Sequence, residues 1–240
     1  MKQTLAGLLA FGLLVSQTAV AATVTVTIED PGVQQADLAG IGASGGIVET
    51  FDAAPRGAFT NLDSALGTYS AGRIDPTNRF GGANESQYLF SQSSPGSTLS
   101  LNTAARYLGF WWSAGSVANQ VDLINDGSSI FSFDTDDVLD FLAESTTDTQ
   151  GYYGNPNPAF QGQVNHEPYV FINMFSAEEF DSVVFSGPNF ESDNHTVAKS
   201  FAKENGTNIS PVPAPTSLTL MASVLAIGAF VARRRRKAQQ

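Results

Sequence analysis

Residues 23–28, Thr-Val-Thr-Val-Thr-Ile, alternate polar and apolar side chains with period two, the pattern of a strand that buries one face. A second strand is predicted over 47–51, after a glycine-rich approach. From 52 to 82 turn formers are frequent and periodicity is weak, which predicts long loops with short strands. Further strands are predicted over 86–89, 97–101 and 106–113. The strongest local signal lies just beyond them: 120–124 and 129–133 flank Asn125-Asp126-Gly127, and Asn/Asp-Gly supplies the positive φ of a tight hairpin turn. Residues 136–143 place Val138, Phe141 and Leu142 on one face, predicting a two-turn helix. After a loop over 151–168, strands are predicted over 169–175, 180–185 and 190–197, and 199–211 reads as a polar linker. About ten short strands and one short helix predict an all-β fold, an antiparallel two-sheet sandwich that is jelly-roll-like, as one domain over 23–198.

The two ends read as addresses. Lys2, an apolar stretch from Leu5 to Val15, and Ala19-Val20-Ala21 have the order of a secretory signal peptide over 1–22, cleaved after Ala21 or Ala22. Near the other end an apolar stretch, 218–232, precedes Arg233-Arg234-Arg235-Arg236-Lys237. It is short of the ~20 residues of a comfortable span but crosses if the bilayer thins locally. Five cations beyond it hold that end in the cytoplasm and leave the body outside.

Composition sharpens this. The chain of 240 residues has no cysteine and two histidines, which excludes a disulfide framework, thiolate chemistry and a cysteine-based zinc site. Its net charge of −11 averages unlike parts. Between Glu29 and Glu204 all 23 acidic residues face only Arg56, Arg73, Arg79, Arg106, Lys199 and Lys203, a net −17. Such a body repels nucleic acid and anionic lipid and offers carboxylates to divalent cations.

Four groups of residues could carry chemistry. Gly40-Ile41-Gly42-Ala43-Ser44-Gly45-Gly46 fits both a dinucleotide fingerprint and a serine-hydrolase elbow, with Ser44 as nucleophile and His195 as a conceivable base. Both motifs require a helix next, whereas Ile47 to Phe51 is strand-like. Asp134-Thr135-Asp136-Asp137 suits either helix capping or a cation. Glu191 and Asp193 fall on one face of a strand, and a structural calcium held by Glu191 and Asp193 with Glu49 and Asp52 is the cofactor reading of that pair. The rings of Trp111, Trp112, Tyr152 and Tyr153 serve either the core or stacking on sugars; adjacent residues at 110–112 point to opposite faces, so at least one ring there is core.

Two resemblances extend this reading. Pro213-Ala214-Pro215, the short apolar span and Arg233, Arg234, Arg235 and Arg236, over 212–240, resemble the PEP-CTERM sorting signal, with alanine in place of its usual central glutamate. The body, through Tyr107-Leu108-Gly109-Phe110-Trp111-Trp112-Ser113-Ala114-Gly115 with Asn119-Gln120-Val121-Asp122, Gly154-Asn155-Pro156-Asn157-Pro158 with Glu167-Pro168-Tyr169, and Phe190-Glu191-Ser192-Asp193-Asn194-His195, is similar to exosortase-dependent bacterial surface proteins. Its closing Phe-Glu-x-Asp-Asn also resembles the last strand of jelly-roll carbohydrate-binding modules, where the acid can bind a structural calcium. The resemblances imply an exported protein that exosortase processes, anchored for a time in the inner membrane and then placed on the cell surface or in the extracellular matrix, without catalysis. A carbohydrate-binding module for exopolysaccharide is the alternative, and a Ser44 hydrolase a remote one.

Overall fold

The computed structural model describes residues 24–91, 96–145 and 148–209. The expected signal peptide and sorting signal, including Pro213, Pro215 and the arginine cluster, lie outside the described residues, and among these no helix is long and apolar enough to cross a membrane. In chain order the strands are β1 (Val24–Ile28), β2 (Ile47–Glu49), β3 (Gly57–Phe59), β4 (Leu62–Asp63), β5 (Gly67–Tyr69), β6 (Gly72–Asp75), β7 (Tyr88–Ser91), β8 (Ser97–Ser113), β9 (Gln120–Asn125) and β10 (Ser128–Asp134). The helix α1 (Thr135–Glu144) comes next, then β11 (Val170–Ser186), β12 (Phe190–Ala198) and β13 (Thr207–Asn208).

Two long strands organise the sandwich. Tyr107 to Trp112 of β8 pair antiparallel with Val170 to Phe175 of β11, and Ser97 to Ala105 pair with Phe180 to Phe185. The register slips on either side of Phe180, so both strands bend there and pass from one sheet into the other. One sheet runs β10-β9-β11-β8-β5-β4 through the half of each long strand nearer Phe180 to Phe185. The other runs β13-β1-β11-β8-β12 through the remaining halves, and continues as β7-β6-β3, with β2 beside the far half of β12. Val26, Leu108, Phe110, Trp112 and Ile172 from the second sheet and Leu99, Leu123, Val183 and Phe185 from the first close over a common core. The all-β, antiparallel sandwich with one short helix is therefore as expected, but each of the two long strands was expected as two. Their polar middles, with Thr103 and Ala177 to Glu179 exposed, break the hydrophobic period because the chain there leaves one sheet for the other, not because the strand ends.

Local signals are met. Asp126 (φ 48°) and Gly127 (φ 72°) both adopt the left-handed region in the β9–β10 turn. Asp134 caps α1, accepting the Asp136 N–H at 3.0 Å and the Asp137 N–H at 3.3 Å, while the Asp137 carboxylate accepts the Asp134 N–H. Capping, the first of the two roles open to this acidic run, is thus what these carboxylates do.

The expected linker is a correction. Its first part belongs to the body: Phe201 lies 5.0 Å from the Phe175 ring, Ala202 N–H bonds to Ile41 C=O at 2.9 Å, β13 pairs with β1, and Ile209 is buried with its N–H on Val26 C=O. Two apolar anchors spaced through a polar stretch suffice to dock it, which average polarity conceals.

The outer face of the larger sheet is also covered. Loops around 34–43, 78–86 and 151–168 lie over it and trap two small apolar clusters, one around Trp111, Tyr169 and Phe171, the other around Ile41, Tyr107 and Phe175.

Candidate functional site

β12 carries polar side chains on both faces. Its alternation sends Phe190 and Ser192 into the interior and Glu191 and Asp193 outward. Strict alternation would send His195 outward too. Asn194 adopts φ 49°, and the pairing with β8 slips between Asp193 and Thr196. That bulge turns His195 inward, where its ring stacks on Phe185 at 4.4 Å and meets the rings of Phe51 and Phe110 edge-on. Both ring nitrogens are satisfied there: Nδ1 lies 2.9 Å from Tyr69 Oη and Nε2 2.9 Å from Ser192 Oγ. Burial pushes the imidazole down to about 3, so it stays neutral.

Asp193 is equally buried but anchors a loop. Its Oδ2 accepts the Ala83 N–H at 2.8 Å and the Ser86 hydroxyl at 2.5 Å, and its Oδ1 accepts the Asn194 N–H at 2.7 Å. The network continues: Asn194 Nδ2 donates to Gln34 C=O, Gln34 Nε2 to Asn157 Oδ1, and Asn157 Nδ2 to Gly82 C=O. Gly82 sits at φ 98° with Ser86 C=O 2.3 Å from where a Cβ would stand, so the loop closes only on glycine. Desolvation pushes Asp193 up to about 8 against these donors, which favour its charged form.

Glu191, two residues earlier on the same face, is only 5% exposed, yet its Oε2 is buried without a hydrogen-bond partner. It forms part of the wall of an open cleft of about 290 Å³ where β6 and β7 meet the turns after β8 and β11 and the 151–168 loop. Arg73 holds Asp75 through two 2.6 Å bonds, from Nε and Nη2, and lays its guanidinium 4.2 Å from the centre of the Phe90 ring. Tyr88 Oη accepts from Asn78 Nδ2 at 2.9 Å, Glu167 forms another wall, and Phe80 leaves over a third of its surface exposed at the rim. Burial first, then the Glu167 carboxylate, push Glu191 up to about 9; burial also raises Glu167. The cleft thus offers a closed ion pair, two carboxyl groups that burial pushes toward their neutral form, amides, and a partly exposed ring with the Arg79 guanidinium 4.6 Å from its centre.

The carboxylates expected to share a calcium do not converge. Glu191 faces the cleft, the oxygens of Asp193 are taken by three donors, Glu49 accepts the Phe51 N–H at 2.7 Å, and Asp52 accepts the Gln87 N–H at 3.4 Å. Among the described residues no three histidine, cysteine or acidic side chains form a group able to hold a metal. Alternation did place Glu191 and Asp193 on one face, but backbone and hydroxyl donors reached Asp193 from loops distant in sequence.

The expected stacking rings are also corrected. Trp111 and Trp112 are each 1% exposed, one under the outer loops and the other in the core with its Nε1 donating to Asn119 Oδ1 at 3.3 Å. Tyr152 is buried with its hydroxyl on Glu29 C=O, and Tyr153 packs half-buried against the core. Both faces of the sheet are dry because loops cover the outer one. Ser44 is exposed, its backbone bridged to Ser200, while His195 lies inside with its nitrogens engaged; the two are not brought together, and β2 rather than a helix succeeds the glycine-rich loop.

Sequence reasoning did not single out Arg73, Asp75, Phe80, Tyr88 or Glu167 as a group. Arg73 and Asp75 flank the buried Ile74 on a short strand, so their shared face was legible; their meeting with Glu167 and Glu191 comes from tertiary structure. No family model matches the chain, and no curated protein or solved structure matches it.

Proposed function

We propose that the protein is exported, held at the inner membrane by its C-terminal segment, processed by exosortase, and then retained at the bacterial cell surface or in the extracellular matrix as a non-catalytic β-sandwich. One observation carries this reading: the chain enters and leaves the sandwich at the same place. β13 pairs antiparallel with β1, Thr27 opposite Asn208 and Ile28 opposite Thr207, and the Ile209 N–H bonds to Val26 C=O at 2.9 Å. Two chain ends clamped side by side suit a body carried on a single C-terminal segment. The Pro213-Ala214-Pro215, apolar and arginine order begins only a few residues beyond that clamp. The polar, acidic body and a core that needs no disulfide suit such a location.

Removing Arg233 to Lys237 tests the reading in a host with exosortase. The truncated chain is expected to lose its correct processing and accumulate in the membrane fraction or medium, monitored by fractionation and by mass spectrometry of its C-terminus. Unchanged cleavage and unchanged surface display would overturn it.

A further inference from the structure

We propose that the cleft walled by Arg73, Asp75, Glu167 and Glu191, with Phe80 at its rim, is a binding site for a neutral saccharide, one pyranose ring deep. A buried carboxyl oxygen that no protein group satisfies is costly, and the Oε2 of Glu191 faces that cost beside an open cavity. Asp193, two residues away, shows that this chain supplies donors to a buried carboxylate where no ligand is needed. The unmet valence at Glu191 therefore points to a partner from outside.

The walls select its chemistry. An anion such as a phosphate meets Glu167, and the cations nearby are engaged: Arg73 is closed on Asp75 by two bonds, and the Arg79 guanidinium lies 4.6 Å from the centre of the Phe80 ring. A metal ion lacks a ligand set, since the acidic side chains described here do not group closely enough. An uncharged ligand that both donates and accepts hydrogen bonds suits a guanidinium–carboxylate pair, a carboxyl and amides at once, and vicinal hydroxyls of a sugar have that form. Phe80, over a third exposed beside these groups with the Arg79 guanidinium against one side of its ring, supplies apolar surface for the C–H face of a sugar. The volume, about 290 Å³, is at the small end of ligand sites and fits one ring rather than a long chain. The proposal is independent of how the protein is sorted.

The test uses the purified full chain titrated with methyl glucoside, methyl galactoside, N-acetylglucosamine and cellobiose, monitored by saturation-transfer NMR, with glucosamine as the cationic and glucose 6-phosphate as the anionic arm. At least one neutral sugar is expected to bind saturably in the millimolar range. Phe80→Ala and Arg73→Met are each expected to weaken it about tenfold, roughly 1.4 kcal/mol, with unfolding midpoints near the parent's. Ile47→Ala, on an exposed strand edge away from the cleft, is expected to leave binding unchanged. Binding by none of the neutral sugars, binding by only the charged ones, or binding indifferent to both cleft variants would each overturn the assignment.

Discussion

Asp193 and Glu191 are the same kind of group on the same face of the same strand, both almost fully buried and both pushed far above the ordinary carboxyl range. They differ in what meets them. Three donors from two segments converge on Asp193, and it fastens the loop over 82–86 to the sheet. Glu191 opens on a cleft with one oxygen unanswered. Burial alone does not separate a structural acid from a site; the completeness of its hydrogen bonding does.

The largest effect expected from this contrast is at the satisfied member. Asp193→Ala leaves the Ala83 and Asn194 N–H groups without their acceptor in a dry environment, while the Ser86 hydroxyl keeps the Ala83 C=O, and is expected to cost about 3 kcal/mol, at roughly 1–3 kcal/mol for each of the two orphaned groups less relaxation. Urea unfolding monitored by tryptophan fluorescence measures it. A loss below about 1 kcal/mol would show that the loop is held by something other than this carboxylate.

A smaller effect of the opposite sign is expected at Glu191. The folded values of Glu191 and Asp193 lie above the ordinary ones, so the folded chain keeps protons that the unfolded chain releases near pH 4. The stability this provides is complete below that pH and drains as pH rises through about 8 and 9. Between pH 7 and pH 9 Glu191 is expected to cost the parent about 2 kcal/mol and Asp193 about 1 kcal/mol more, since each pH unit over which the folded group holds a proton that the unfolded one has released corresponds to about 1.4 kcal/mol. Glu191→Gln keeps the shape without the ionisation, and is expected to be more stable than the parent at pH 9 and to flatten the slope. Identical slopes in parent and variant would mean that Glu191 is ionised throughout, and the contrast with Asp193 would fail.

How far such a contrast is legible in sequence depends on the reach of the interactions. Asp126-Gly127 and the Asp134–Asp137 cap announce themselves because turn and cap close within four residues. The alternation of β12 is equally local as far as Asp193. It fails at Asn194, whose left-handed backbone is fixed by a slipped pairing with β8 and by a bond from its side chain to Gln34, 160 positions away. The opposite orientations of Trp111 and Trp112 follow from period two, but the dryness of the outer one depends on loops that no periodicity assigns to that face. The cleft is the extreme case. Arg73 and Asp75 sit on β6, Tyr88 on β7, Glu167 in a loop and Glu191 on β12, and only the sheet order brings them together.

The inner face of β12 gives the smallest expected effect. His195 is surrounded by phenylalanine rings, and the hydroxyls of Tyr69 and Ser192 are what make a neutral imidazole tolerable there, one nitrogen donating and the other accepting. Tyr69→Phe keeps the ring that packs 5.4 Å from Phe51 and deletes only the hydroxyl, so the cost isolates one unsatisfied imidazole nitrogen, about 1–2 kcal/mol in urea unfolding at pH 7. The pH dependence of this face runs opposite to that of the carboxylates. His195 is held below its ordinary value of 6.5, so stability is present above that pH and falls as the unfolded chain takes up a proton the folded one refuses, down to about pH 3. Tyr69→Phe removes a partner of the neutral ring but not the burial that depresses it, and the acid-side slope is therefore expected to survive the substitution. If the slope vanished with the hydroxyl, the bond to Tyr69 rather than the apolar surroundings would be what keeps His195 uncharged, and the inner face would resemble the Asp193 anchor more closely than its packing suggests.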